Sequence, residues 1–197
     1  MAIARASPSR ARRDVERSSA RTSSNDSHNS RVVQGKMTHV DASGACAMVN
    51  VRSKPSTTRV AIASARVFLG SDAFDAVKTN AIAKGDVLQC ARIAGITASK
   101  KAYELIPLCH AVAIDFVGVD FALDDDDRAI DVKATVMCDG KTGVEMEALV
   151  AATTSALTIY DMCKAVDKGI VIGDVRLEEK SGGKSGHWTR DGAHGAR

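Results

Sequence analysis

Aromatic residues are scarce. They make up 4% of the 197 residues, too few for a platform on which the bases of a nucleic acid could stack. Long apolar runs are missing as well: no stretch approaches the roughly 18 to 20 uninterrupted apolar residues of a membrane span, so no membrane partner is expected. The five cysteines, Cys46, Cys90, Cys109, Cys138 and Cys163, are odd in number and widely spaced, with no C-x-x-C pair. A disulfide scaffold and a cysteine zinc site are therefore poor readings, and a reducing compartment is the better one. What is present is a hydrophobic fraction of 45%, enough for one medium domain with a true core, or for one domain plus a tail.

The formal net charge of +3 is unevenly spread. Residues 1–36 hold eight basic residues against three acidic ones, a balance of +5. Taking those from the totals of 27 and 24 leaves 19 basic and 21 acidic residues, a balance of −2 for the rest. A nucleic-acid footprint over the body is not supported. The first 36 residues are rich in Arg, Ser and Ala and nearly lack large apolar side chains, so they cannot offset their chain entropy and are expected to be disordered. Three readings stand for them: an organelle transit peptide, an untargeted tail, or sequence upstream of a true start at Met37.

From Met37 onward the periodicity becomes readable. Val60, Ile62, Val67 and Leu69 predict an extended stretch over 59–69. Residues 71–80 predict a short helix with Ser71 as N-cap and Phe74 and Val77 inward. An Ala-rich helix is expected over 86–104, opened by Asp86 and stopped by Pro107. Val117, Val119, Phe121 and Leu123 share one face of a strand, and Ile130, Val132, Ala134 and Val136 one face of the next. The four aspartates 124–127 between them read as a solvated turn, without the spacing of a cation loop. Leu149, Ala152, Thr153, Ala156, Leu157, Tyr160 and Cys163 form an amphipathic stripe on a helix over 144–166. Gly169 ends that helix, and 170–177 is a final strand. Strand, helices, strand, strand, helix, strand is the order of an α+β ferredoxin-like sandwich, an antiparallel sheet with helices on one face. Residues 187–197 are expected to form a flexible tail.

That fold hosts many activities, so the polar residues carry the functional argument. Asp161 and Lys164 lie three residues apart and share a helix face, in a segment unusually apolar for a solvated helix end. Glu147 lies 14 residues before Asp161, about 21 Å along one helix. The two serve different sites, or subunits bring opposite helix ends together; on the second reading Lys84 and Asp161 reach one site from different chains. Leu108-Cys109-His110 follows Pro107, but adjacent Cys and His side chains seldom meet productively, so a thiolate nucleophile is not expected. The run from Lys180 to Gly186 resembles a phosphate loop, yet Glu178 stands where G-x-x-x-x-G-K-[ST] requires glycine. A flexible glycine loop carrying two lysines remains a fair anion-binding element. Lys84 just before a helix start and Arg59 at the head of the first strand add to a pattern suited to a small polyanion.

Seven ordered segments carry a strong resemblance to the molybdenum cofactor biosynthesis protein C family, the cyclic pyranopterin monophosphate synthases. They are Met37-Thr-His-Val, Lys84-Gly-Asp-Val, Ala91-Arg-Ile-Ala-Gly-Ile96, Leu105-Ile-Pro-Leu-Cys-His110, Lys141-Thr-Gly-Val-Glu-Met-Glu-Ala-Leu149, Leu157-Thr-Ile-Tyr-Asp-Met-Cys-Lys-Ala-Val166 and Lys180-Ser-Gly-Gly-Lys-Ser-Gly186. The resemblance spans 37–186, the expected synthase domain. It departs at Ala111, where the family usually has proline, and at Asn50, where aspartate is common.

The resemblance implies a hexamer of ferredoxin-like subunits built from dimers, with active sites at dimer interfaces. It implies a lyase that converts 3′,8-cyclo-7,8-dihydroguanosine 5′-triphosphate, supplied by a radical cyclase, into cyclic pyranopterin monophosphate and pyrophosphate. The family's catalytic residues fall on Asp161, Lys164 and Lys84. Its substrate-binding residues fall on Leu108, Cys109, His110, Met146, Glu147, Lys180 and Arg59. No redox change is needed, so no cofactor and no metal are expected. Eukaryotic relatives are typically mitochondrial, which favours the matrix over the cytoplasm or a plastid. The rival from another class is a non-catalytic ferredoxin-like module that senses nucleotides.

Overall fold

A computed structural model of the chain describes residues 44–190. The basic segment 1–36, the Met37 motif and tail residues 191–197 lie outside the described residues. Strand β1 (Thr57–Phe68) is followed by helices α1 (Ser71–Lys78), α2 (Val87–Ser99) and α3 (Ala102–Leu105). Then come strands β2 (Phe116–Asp124) and β3 (Ala129–Gly140), helix α4 (Glu145–Cys163), and strands β4 (Val171–Ser181) and β5 (Trp188–Thr189). The sheet runs β2-β3-β1-β4-β5, and every neighbouring pair is antiparallel. The four long strands thus follow the order of a ferredoxin-like sandwich, the α+β class expected from the sequence.

The core explains the element boundaries. On β1, Arg59, Ala61, Ala63, Ala65 and Val67 are buried, while Val60, Ile62, Ser64, Arg66 and Phe68 between them are half-buried. Ile130, Val132, Ala134 and Val136 of β3 are all buried, as their alternation predicts. Alanine dominates the buried face of β1, so a helix can lie close. α4 answers with Ala148, Ala151, Ala152, Ser155, Ala156, Ile159 and Cys163. Where α2 meets α4, a Cβ on Gly95 would stand 2.2 Å from Ser155 Oγ and 2.9 Å from the Ala151 carbonyl oxygen. The Ser155 hydroxyl donates to the Ala91 carbonyl at 3.0 Å, tying the two helices through their smallest residues.

Several expectations are corrected. The inward stripe of α4 is rotated from the one its larger side chains suggest: Thr153 is exposed and Leu157 is 57% exposed, because the close approach selects alanine and serine instead. The helix expected over 86–104 breaks at Lys100–Lys101, where Lys101 leaves helical geometry with φ −115° and ψ 12°. It ends before Ile106, which the following Pro107 holds extended at φ −111°, ψ 108°. Ser71 is the first residue of α1, whose N-cap is Gly70; the Gly70 N–H donates to Asp167 at 2.8 Å. Asp86 does cap α2, accepting from the Gln89 N–H at 2.9 Å. The 124–127 turn is held by charge pairing: Arg66 binds Asp124, Asp127 and Asp131, and Lys78 binds Asp125. Residues 188–189, expected within a flexible tail, pair with Glu179 and Lys180 as β5, because the turn glycines Gly182, Gly183 and Gly186 adopt positive φ and reverse the chain. No helix among the described residues is long and apolar enough to cross a membrane.

Candidate active site

The last turn of α4 leaves backbone carbonyls without helical partners, and cations are favoured there. Lys84, in the turn before α2, donates from Nζ to the Asp161 carbonyl oxygen at 2.7 Å and lies 3.2 Å from its carboxylate Oδ2. Lys164, the C-cap, places Nζ 2.7 Å from Asp161 Oδ1. One carboxylate therefore sits between two ammonium groups on an open surface. Hydrogen bonding from Lys164, then from Lys84, holds Asp161 below the usual carboxylate range, and the same bond raises Lys164. The reading that Lys84 and Asp161 come from different chains is corrected, since they meet within one.

The opposite end of α4 gathers the remaining candidates. Leu108, Cys109 and His110, in the loop after α3, line a hollow of about 310 Å³ with Met146 and Glu145 from the first turn of α4. Beneath them Glu147 is 3% exposed. The Cys109 thiol donates to Glu147 Oε1 at 3.7 Å, and Oε2 has no hydrogen-bond partner among the described residues. Burial raises the Glu147 pKa, and burial followed by the Glu147 charge pushes Cys109 up to about 11. The thiol stays protonated at neutral pH, which argues against thiolate chemistry.

A second hollow, of about 200 Å³, shares Lys54, Thr142, Gly143 and Glu145 with the first, so the two form one groove. Four cations line it: Lys54, Arg59, Lys141 and Lys180. Arg59 donates from Nε to the Gly140 carbonyl at 3.2 Å, which fixes its guanidinium at the groove wall. Gly183 folds over that guanidinium at φ +69°, where any Cβ would collide with it. The glycine loop is thus a fitted cover for an arginine, with Lys180 at its base.

Among the predicted site residues, three meet at the C-terminal end of α4 and seven at its N-terminal end. A single chain leaves the two groups about 21 Å apart. Sequence reasoning missed Lys54, Lys141 and Glu145 as groove residues. The latter two stand inside a recognised motif; Lys54, in the segment before β1, carries no local signal. Of the two departures, Asn50 accepts from the Arg52 N–H at 2.9 Å, and Ala111 leaves His110 in the groove. A larger hollow of about 580 Å³ lies on the helix-free face of the sheet. Several of its charges pair with one another, Glu178 with Arg176 and Arg190, and Arg66 with Asp131. Size alone does not locate the site. Among the described residues no group of three His, Cys, Asp or Glu is arranged to hold a metal.

Glu147 gives a prediction independent of any ligand. Its folded pKa is raised above the ordinary 4.5, so the unfolded chain loses its proton first. Stability from this group then declines as pH rises from about 4.5 to the raised value, and levels off above it. Glu147→Gln removes that decline. Its melting temperature relative to the parent is expected to be higher at pH 7 than at pH 4; an equal difference at both would show that burial does not govern this carboxyl.

The fold and these sites define an α+β ferredoxin-like protein with a basic groove and a lysine–aspartate–lysine cluster at opposite ends of one helix. Residues 48–183 match the MoaC family, and the chain belongs to that family. It is 51% identical over 155 residues to the mitochondrial cyclic pyranopterin monophosphate synthase of Arabidopsis thaliana, covering 79% of this chain and 57% of that protein. It is 51% identical to the cyclic pyranopterin monophosphate synthase of Bordetella petrii, covering 79% of this chain and 96% of the relative. The synthase of Heliobacterium modesticaldum is 50% identical, with 79% and 98% covered.

Proposed function

We propose that the chain is a cyclic pyranopterin monophosphate synthase of molybdenum cofactor biosynthesis, a lyase acting on 3′,8-cyclo-7,8-dihydroguanosine 5′-triphosphate. The observation that carries this reading is the family match over 48–183, together with relatives of that name near 50% identity that are covered almost end to end. The groove supports a polyphosphate ligand by its charge: four cations face it, against the single carboxylate of Glu145.

In this reading Arg59 and Lys180 hold the phosphates, and Leu108, Cys109, His110, Met146 and Glu147 shape the pocket beside them. A ribose oxygen attacks the inner phosphorus, the bond to the next phosphate oxygen breaks, and pyrophosphate leaves on cations that offset its growing charge. Asp161, ionised by its two lysines, positions Lys84 and Lys164 and accepts a proton during ring rearrangement; the ammonium groups donate. Two helix ends about 21 Å apart serve one substrate if subunits pair so that the end of one α4 meets the start of another. A hexamer of such dimers fits this requirement, and the substrate's supplier is a radical cyclase.

The test is pyrophosphate release by the full chain given the cyclised nucleotide. Release with formation of the cyclic product is expected; tight binding without turnover would make the chain a nucleotide sensor. We also place the protein in the mitochondrial matrix, supported by the charge of residues 1–36 and by the compartment in the name of the Arabidopsis relative. A fluorescent fusion to residues 1–36 should enter mitochondria, and one that stays cytosolic would overturn the placement.

A further inference from the structure

The basic hollow contains one acid. Glu145 Oε1 lies 2.9 Å from Lys180 Nζ, and both side chains are about one-third exposed or less. The other cations there are engaged only with neutral partners or with none: Arg59 with the Gly140 carbonyl, Lys141 with the Arg52 carbonyl at 3.1 Å. Lys54 Nζ has no ionic partner among the described residues. Four like charges around about 200 Å³ repel one another, and one carboxylate relieves only part of that. The absent side chain of Gly143 leaves room for that carboxylate, since a Cβ there would collide with Glu145 Oε2. Glu145 also walls the neighbouring hollow beside Cys109 and His110, so it borders both halves of the groove.

We propose that Glu145 is an internal counter-ion of the anion-binding hollow, occupying the place beside Lys180 that a phosphate group takes and vacating it when a polyphosphate arrives. The inference rests on reading the hollow as the polyphosphate end of the groove. A single phosphate competes poorly with a tethered carboxylate, whereas a pyrophosphate brings more charge and reaches several of the cations at once. Displacement lowers the affinity of every anion, and most for the small ones. It also gives the departing pyrophosphate a competitor that closes behind it. Glu145 is thus a specificity determinant for chain length and an aid to product release.

The experiment is calorimetric titration of the full chain with inorganic pyrophosphate and with orthophosphate. Glu145→Gln keeps the shape and removes the charge; it is expected to bind pyrophosphate roughly tenfold tighter and orthophosphate tighter still, narrowing the selectivity between them. Gly143→Ala, which pushes the carboxylate aside without deleting it, should move affinity the same way. Lys180→Ala should weaken pyrophosphate in either background. Unchanged or weaker pyrophosphate binding in Glu145→Gln, with the parent binding and Lys180→Ala impaired, would overturn the counter-ion role and leave the hollow as the polyphosphate site. No pyrophosphate binding by any form, or binding indifferent to Lys180, would overturn both.

Discussion

Asp161→Asn is expected to lower turnover of the cyclised nucleotide by roughly 10² to 10⁴ while leaving the fold and substrate affinity intact. The substitution keeps size and hydrogen-bonding shape but removes the charge that holds two lysines. Asp161 is exposed, with 57% of its side-chain surface open to solvent, so a merely structural ion pair here would contribute little and turnover would survive its loss. Lys84 is the reason to expect otherwise. It crosses from the α1–α2 turn to bond both the carbonyl and the carboxylate of Asp161, and Lys164 takes the other carboxylate oxygen. The three act as one unit. Lys84→Ala and Lys164→Ala should therefore resemble Asp161→Asn, and combining any two should cost far less than the product of the single effects. Because its lysines hold the Asp161 carboxyl below the usual range, the cluster persists as pH falls until that lowered value is reached. Single-turnover pyrophosphate release beside substrate affinity decides: near-normal turnover removes Asp161 from the mechanism, and lost binding makes it a positioning residue.

How much of this was legible depends on what each residue signals locally. The β3 face of Ile130, Val132, Ala134 and Val136 was readable because large side chains alternate, and all four are buried. The same alternation on β1 is written in alanine, which blurs it; only the opposing small face of α4 explains why alanine belongs there. On α4 size misled, since Leu157 lies outward while Ala151, Ala152 and Ser155 meet the sheet and Gly95. The paired lysines at 100–101 gave no warning of a helix break, whereas Pro107 announced the extended residue before it. In the site, the motifs named the residues but not their grouping. That Lys84 reaches Asp161 within its own chain depends on where the α1–α2 turn lies relative to the end of α4, a contact across 77 positions. Glu145 escaped notice because a carboxylate looks out of place in an anion site until its partner Lys180 is seen.

The separation of the two ends of α4 leads to the second large effect. Asp161→Asn disables the C-terminal cluster, and Arg59→Ala disables the groove at the other end. In the proposed assembly each variant alone is nearly inactive, because every site draws one half from each of two identical chains. A mixed dimer is different. One of its two sites receives both damaged halves, and the other receives the intact cluster of one chain and the intact groove of its partner. With equal amounts and free exchange, half the dimers are mixed and each carries one working site, so activity should return to about a quarter of the parent level. Mixing Lys84→Ala with Asp161→Ala supplies the control. Those residues meet in a single chain, so no combination of the two rebuilds an intact cluster and activity should stay low. Subunit exchange is first established with tagged chains. Recovery in the first mixture and not in the second would place the active site between subunits with this pairing of helix ends. Recovery in neither, with exchange demonstrated and each variant inactive alone, would overturn this pairing of helix ends between subunits.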